Sequence, residues 1–319
     1  MITRTPRKRG TSLLAGLIAL IFASVTACSG STESFGGSSG GNSGSDDQSG
    51  AGGGGGDKTV SISVVAGWDE DTAATYMWKE LLEQRGYTVN VQELDIASTF
   101  TGVANGQIDL YLDAWLPVTH EAYWTRFQDQ LEVVSDWSTG RNLLAVPQYV
   151  DVNSVADLEG KSAEFGGRIV GIEAGAGLMR ATREQAIPKY GLDDYSLVEG
   201  SSPAMLATLD SSIKNEEPVV VTLWQPHWAF SRYPIKVLED PEGAFGQPDQ
   251  MQAIATKGWS ADNPELAGWL KNFEFSNEQL ASLMLMIQDA GEGKEQEAAK
   301  QWIGENQQVV DAWFNAPAS

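Results

Sequence analysis

The sequence predicts an α/β protein made of two similar lobes, each built on a βαβαβ unit. Strand-like and helix-like segments alternate in the same order twice along the chain, and this order favours a parallel sheet with right-handed crossovers. Each copy ends in a Trp-x-Pro sequence directly after a short apolar run, first at Trp115 and again 109 residues later at Trp224. Ligands of open α/β sheets bind where such strands end. We therefore expect a clamshell that holds a ligand between its lobes.

The first copy starts with a strand in which apolar residues alternate with serines. A helix with apolar residues at helical spacing follows, and glycines mark where the helices stop. The predicted elements are a strand over residues 60–64, a helix that begins at Asp69 or Asp71 and ends at Gly86, a strand from Val89, a short helix over residues 100–104, and a strand that runs into Trp115.

The second copy repeats this order. Its predicted elements are a strand over residues 168–172, a turn at 175–177, a helix over 178–190, a strand over 196–199, a helix over 203–213, and a strand over 218–223 that runs into Trp224. The chain beyond residue 256 is helical in pattern, and Ser276 with Gln279 forms a capping box for one of these helices.

Two further strand-like segments lie at residues 142–146 and 251–256, and the chain is predicted to cross between the lobes near residues 145–148 and 251–255. Lobe I is then predicted to consist of residues 58–146 and 251–319, and lobe II of residues 147–250. Two separate connections allow the lobes to close by hinge motion around a ligand.

The first 57 residues predict export and tethering. Four basic residues among the first nine precede an apolar run of sixteen residues, which is shorter than the roughly 20 residues that span a bilayer. Residues 1–27 therefore read as a signal peptide. Cys28, the only cysteine, stands where bacterial lipoproteins carry their acylated residue. Residues 28–57 are rich in glycine and serine and predict a flexible tether.

The charge balance excludes two classes of partner. The chain has a formal net charge of −22, and removal of residues 1–27, with four basic and no acidic residues, makes it −26. Such a protein binds neither nucleic acid nor anionic lipid surfaces through its charge. The sequence also has no Gly-x-Ser-x-Gly elbow and no histidine pair at metal-ligand spacing, so we expect no catalytic site, metal or cofactor.

The motifs together resemble a known family. The signal peptide with Cys28, the tether, Asp-Ala-Trp-Leu-Pro-x-x-His at residues 113–120, Gly-x-Gly-Leu-Met at 175–179 and Trp-x-Pro-His-Trp at 224–228 are similar to the substrate-binding lipoproteins of ABC importers for glycine betaine and proline betaine. The resemblance implies a type II periplasmic-binding-protein clamshell. It also implies a monomer, anchored at Cys28 on the extracytoplasmic face of the cell membrane, that delivers a quaternary ammonium osmolyte to a permease driven by a cytoplasmic ATPase.

The resemblance also implies a two-part ligand site. A quaternary ammonium group offers no hydrogen bonds, so aromatic faces must hold it, and the matching cage residues are Phe100, Trp115 and Trp224. The ligand carboxylate is matched by His120 and by the backbone amides of Gly177 and Leu178. Relatives have tryptophan where this chain has Phe100, so we expect a shift in affinity or preference.

Trp68 and His227 differ in the contact that we expect each to make. Trp68 also ends a predicted strand at the same sheet edge, which makes it a further candidate contact. His227 is expected to form a hydrogen bond within its lobe rather than to the ligand.

Three alternatives stay open at the level of sequence. A binding protein of the same family could prefer choline or carnitine, although choline lacks the carboxylate that His120, Gly177 and Leu178 are expected to bind. A tethered choline-ester hydrolase could use His120 or His227 with a carboxylate. A binding protein could also serve a sensory receptor instead of an importer, because the partner lies on another chain.

Overall fold

The structure is a computed structural model that describes residues 58–315. The predicted signal peptide, Cys28 and the tether lie outside the described residues. Within residues 58–315, no helix combines the length and the apolar character needed to cross a membrane.

Nine strands and twelve α-helices make up the described chain. The strands are β1 Thr59–Val64, β2 Thr88–Glu93, β3 Leu110–Leu116, β4 Leu131–Pro147, β5 Arg168–Val170, β6 Ser196–Val198, β7 Val221–Gln225, β8 Ile235–Val237 and β9 Asp249–Thr256. The helices are α1 Asp69–Glu83, α2 Ile96–Ala104, α3 Glu121–Phe127, α4 Gly177–Ala181, α5 Ile187–Lys189, α6 Ser202–Asn215, α7 Ala229–Arg232, α8 Trp259–Asp262, α9 Pro264–Lys271, α10 Asn277–Ala290, α11 Glu295–Glu305 and α12 Gln307–Asn315.

The sheet confirms the predicted internal repeat. The strand order is β2-β1-β3-β9-β4-β7-β5-β6, with β8 paired to β4. In the first unit β1 lies between β2 and β3, and in the second unit β5 lies between β6 and β7, with parallel pairing throughout. The antiparallel strands β4 and β9 lie between the two units. Strands β1 and β3 of the first unit and β5 and β7 of the second unit each end at a segment that carries a tryptophan or several glycines.

Strand β4 is much longer than the segment 142–146 predicted from the sequence. It pairs with β9 from Leu131 to Gly140 and then with β7 from Arg141 to Ala145. The register with β9 shifts twice, and each bulge breaks the alternation of apolar and polar residues that identifies a strand. This broken pattern explains why the first eleven residues of β4 are absent from the predicted segment. The lobe boundaries remain a prediction.

Helix starts decide where the aromatic side chains point. The Asp95 side chain accepts a hydrogen bond from the Ser98 N–H at 3.0 Å, so α2 starts at Ile96 and Phe100 lies in its middle. Neither Asp69 nor Asp71 caps α1; Asp71 instead accepts from the Val65 N–H at 2.7 Å. The predicted capping box of Ser276 and Gln279 at the start of α10 is confirmed.

Trp78, Trp302 and Trp313 belong to an aromatic layer that does not include the tryptophans of the Trp-x-Pro repeats. Trp78 of α1 packs edge-on against Phe273 with ring centroids 5.4 Å apart, and Trp313 stacks near it. Trp302 packs against Phe275 at 5.2 Å. These rings are buried, and they bring the C-terminal helices against α1.

Candidate functional site

A cavity lies where the carboxyl ends of β1 and β3 in the first unit face those of β5 and β7 in the second unit. Residues following β1, β3, β5 and β7 line it, which is the expected ligand position in an open α/β sheet. The lining combines three indoles, several polar groups and a glycine-containing segment, namely Trp68, Glu70, Trp115, Thr119, His120, Asn142, Ile172, Ala176, Gly177, Leu178 and Trp224.

Three indoles form the aromatic part of the cavity. Trp115 and Trp224 lie at the ends of β3 and β7, as their sequence positions predict, and Trp68 lies directly before α1. All three side chains are nearly inaccessible to solvent. The Trp68 ring stacks on the His120 ring with centroids 5.6 Å apart and an interplanar angle of 6°. The three indoles therefore line a cavity whose walls are shielded from bulk solvent, an environment in which a ring attracts a cation most strongly.

Phe100, predicted as the third cage wall, does not line the cavity. It is fully buried behind it, with ring centroids 5.6 Å from His120, 5.3 Å from Tyr123 and 6.0 Å from Tyr111. The reason is that α2 turns Phe100 towards the sheet. Trp68 lines the cavity instead, and its place at the same sheet edge as Trp115 was the sequence signal for it.

His120 presents an unpaired hydrogen-bond donor. Its Nδ1 accepts from the Trp115 backbone N–H at 2.9 Å, so the proton of the neutral ring is on Nε2. Burial, with a smaller contribution from the charge of Arg180, lowers the pKa of His120 to about 3, so the ring is neutral at physiological pH. The Nε2 atom is buried without a hydrogen-bond partner. Buried donors are nearly always satisfied, so this N–H is available to an acceptor placed in the cavity.

The segment after β5 offers two further donors. Gly177 and Leu178 are the first residues of α4 and line the cavity, and the first N–H groups of a helix have no acceptor within it. A Cβ atom on Gly177 would lie only 2.0 Å from the Thr119 carbonyl oxygen. Only glycine allows this close approach, which brings the amides next to the loop that carries His120.

Asp249 holds that loop in place, a role the sequence did not reveal. It accepts from the backbone N–H groups of Val118 at 2.6 Å and Thr119 at 3.0 Å, and also from the Thr119 hydroxyl. Asn142 donates to the same hydroxyl at 2.7 Å. Asp249 lies 130 residues from Thr119, so no local pattern points to the pair.

A cluster of buried carboxyl groups lies beneath the indoles. Glu70, Asp71 and Asp113 are almost completely inaccessible. Burial raises the pKa of Asp71 to about 8 and those of Glu70 and Asp113 well above the usual carboxyl range. The mutual repulsion of these groups adds to the shifts of Glu70 and Asp113. A positive charge near the indoles would lower these pKa values and stabilise the ionised forms of the carboxyl groups.

His227 lies outside the cavity lining. Its Nδ1 accepts from the Ala229 N–H at 3.0 Å, and its ring packs edge-on against Trp224 with centroids 4.7 Å apart. This local contact supports Trp224 from behind, and His227 Nε2 also lies 3.1 Å from Asp69 Oδ2 of α1, so the ring contacts the other predicted lobe as well as its own.

Comparison with known sequences identifies relatives of the chain. A family model described as the substrate-binding domain of ABC-type glycine betaine transport systems, OpuAC, matches residues 58–305. The glycine betaine/carnitine transport binding protein GbuC of Listeria monocytogenes is 40% identical over 147 residues, which cover 46% of this chain and only 48% of that relative. The glycine betaine/proline betaine-binding periplasmic protein of Escherichia coli is 25% identical over 284 residues, with 77% of this chain and 86% of the relative covered.

Solved structures show the same similarity. Lactococcal OpuAC, in its closed conformation with glycine betaine, is 34% identical with a TM-score of 0.76, and the match covers 81% of this chain and 100% of that chain. A choline-binding protein of an ABC transporter, in complex with choline, is 26% identical with a TM-score of 0.73, covering 81% of this chain and 92% of that chain. The resemblance to the substrate-binding proteins of glycine betaine importers is confirmed. The chain belongs to the family of substrate-binding domains of ABC-type glycine betaine transport systems and is an extracytoplasmic binding protein rather than an enzyme.

Proposed function

We propose that this protein binds glycine betaine in the cavity with a defined orientation. The trimethylammonium group lies among Trp68, Trp115 and Trp224, and the carboxylate accepts hydrogen bonds from His120 Nε2 and the amides of Gly177 and Leu178. The observation that carries the proposal is the unpaired His120 Nε2 donor on the wall of a cavity with three indoles. A single ligand that carries a quaternary ammonium group and a carboxylate would contact the indoles with the first group and the His120 donor with the second.

The energetics are consistent with useful affinity. Each desolvated indole face contributes about 1 to 2 kcal/mol to binding a cation. Three faces supply several kcal/mol of the roughly 8 kcal/mol that micromolar binding needs. Charge-assisted hydrogen bonds to the carboxylate, each about 1.5 to 3 kcal/mol, supply the remainder. Choline lacks the carboxylate, so it forgoes this second contribution and leaves the His120 donor unpaired.

The proposed delivery follows from the family and the leader. The binding protein closes over the ligand and docks on a permease driven by a cytoplasmic ATPase. Cys28 carries the lipid anchor, and residues 28–57 tether the body to the membrane.

Calorimetric titration of residues 58–319 with glycine betaine, and then with choline at matched ionic strength, tests the ligand. Tight betaine binding with weak choline binding is the expected result. Tight choline binding with weak betaine binding would support the choline-preferring alternative. If neither ligand releases heat on titration, the proposed substrate class is refuted.

Gly177→Ala tests closure. The added methyl group would lie 2.0 Å from the Thr119 carbonyl oxygen, so the segments on the two sides of the cavity must separate. We expect betaine affinity to fall at least about tenfold and small-angle scattering with ligand to report a more open body. Gly304→Ala in α11 is the matched control, because nothing lies within 4 Å of that added Cβ. It should bind normally, and equal affinity in both variants would contradict the closure proposal.

A further inference from the structure

Each indole in the cavity donates its ring N–H to a different carboxylate. Trp115 Nε1 donates to Asp113 Oδ1 at 2.7 Å, Trp224 Nε1 donates to Glu70 Oε2 at 2.7 Å, and Trp68 Nε1 donates to Glu173 Oε2 at 3.3 Å. The three indoles of the cavity therefore share one kind of hydrogen-bond acceptor, a carboxylate oxygen.

The remaining tryptophans differ in this respect. Within residues 58–315, Trp137 donates to the Leu112 carbonyl and Trp302 to the Ser282 hydroxyl, while the buried Trp78 Nε1 has no partner. Outside the cavity, only Trp228 among the described tryptophans donates to a carboxylate, that of Asp69, at 2.7 Å. Carboxylate acceptors are therefore concentrated on the rings that face the cavity.

A carboxylate bonded to the indole N–H changes the ring as well as fixing its orientation. The negative charge lies in the plane of the ring beside the positive N–H edge and pushes electron density towards the ring faces. Cations bind those faces through their negative potential, and hydrogen-bonded groups polarise one another more strongly in a low-dielectric interior. Asp113 is completely buried and Glu70 is 3% exposed, so water does not screen this effect.

Within the described part of the chain, no cationic side chain forms an ion pair with these carboxylates. Among the described residues, the ion pairs involve none of Glu70, Asp113 and Glu173, and Asp113 Oδ2 is buried without a hydrogen-bond partner. Burial raises the pKa of Glu70 and Asp113, so their ionised forms need a nearby positive charge. A permanent cation held by the indoles supplies that charge.

We propose that Glu70, Asp113 and Glu173 are specificity-determining residues that make the three indoles select a permanently charged ligand group over a neutral group of the same shape. This inference rests on the proposed betaine site. Glu70 also lines the cavity, whereas Asp113 and Glu173 do not and act through Trp115 and Trp68. Glu173 is itself fixed by the Ser202 N–H at 2.8 Å and the Ser202 hydroxyl at 2.9 Å.

The test compares glycine betaine with 3,3-dimethylbutanoate, in which carbon replaces the quaternary nitrogen. Asp113→Asn keeps an oxygen acceptor for the indole and removes the charge. We expect betaine affinity to fall about tenfold while affinity for 3,3-dimethylbutanoate stays the same or rises. An equal loss for both ligands would mean that Asp113 only orients Trp115, and would overturn the inference.

A double-mutant cycle separates action through the ring from direct charge attraction. Phenylalanine has no ring N–H, so Asp113→Asn should cost almost no betaine affinity in a Trp115→Phe background. The same tenfold cost in both backgrounds would show that the carboxylate acts on the ligand through space, against the proposed mechanism. Asp69→Asn is the matched control, since its partner Trp228 does not line the cavity; its ligand ratio should equal that of the unmodified protein.

Glu173→Gln repeats the test at a partly exposed carboxylate. It therefore tests the role of the carboxylates even if Asp113→Asn does not fold. It should lower the betaine to 3,3-dimethylbutanoate affinity ratio with an unchanged melting temperature. Failure of the unmodified protein to bind betaine would refute the proposed function, whereas betaine binding with an unchanged ratio in Glu173→Gln would refute only the role of the carboxylates.

Discussion

Trp68→Ala is expected to abolish measurable binding of glycine betaine. Trp68 lines the cavity and stacks on His120 with ring centroids 5.6 Å apart. Its removal takes away one cation-binding face, worth about 1 to 2 kcal/mol, admits water to the other two, and frees the His120 ring. We expect an affinity loss of at least about 100-fold by calorimetry, comparable with the losses in Trp115→Ala and Trp224→Ala.

Phe100→Leu is the matched control, because Phe100 is the residue that the sequence placed in the cage. Its ring is fully buried behind His120 and does not line the cavity. We expect betaine affinity within about threefold of the unmodified protein and an unfolding free energy lower by about 1 to 2 kcal/mol. If Phe100→Leu loses binding and Trp68→Ala retains it, the cage contains Phe100 and our assignment is wrong.

His120→Ala is expected to lower betaine affinity about 100-fold and to change choline affinity much less. The substitution removes the Nε2 donor, which is worth about 1.5 to 3 kcal/mol when its acceptor is charged, and it also removes the acceptor of the Trp115 N–H. The second loss affects both ligands, whereas the first affects only the ligand with a carboxylate. Calorimetry with both ligands therefore separates the two contributions.

The control for His120→Ala is the other histidine. His227→Ala removes a buried ring that lies outside the cavity lining, so it should lower stability without changing the ratio of betaine to choline affinity. An unchanged ratio in His120→Ala itself would show that the ligand carboxylate binds elsewhere.

Much of the fold could be predicted because its signals are local. Alternation in β1, helical spacing in α1 and the repeated order of elements are all set by neighbouring residues, and both βαβαβ units fold with the expected strand order. Short elements such as α3, α7 and β8 were not predicted. They contain between three and seven residues, too few to establish a period, and the bulges of β4 hide its first half.

The residues of the candidate site also divide into those that a local sequence signal identifies and those that only the packing identifies. The sequence alone determined that Trp115 and Trp224 lie at equivalent strand ends of the two units, because the repeat fixes those positions, and the family resemblance added His120, Gly177 and Leu178. Only the tertiary structure decided that Trp68 rather than Phe100 lines the cavity, since the choice depends on which face α2 turns towards the sheet.

The pairing of indoles with carboxylates was also decided by the tertiary structure. Glu70 and Trp224 are 154 residues apart, and Trp68 and Glu173 are 105 residues apart. A local pattern reports helix faces and strand ends, but it contains no information about which distant side chain will meet an indole N–H. That choice follows from the packing of the two βαβαβ units on either side of the cavity.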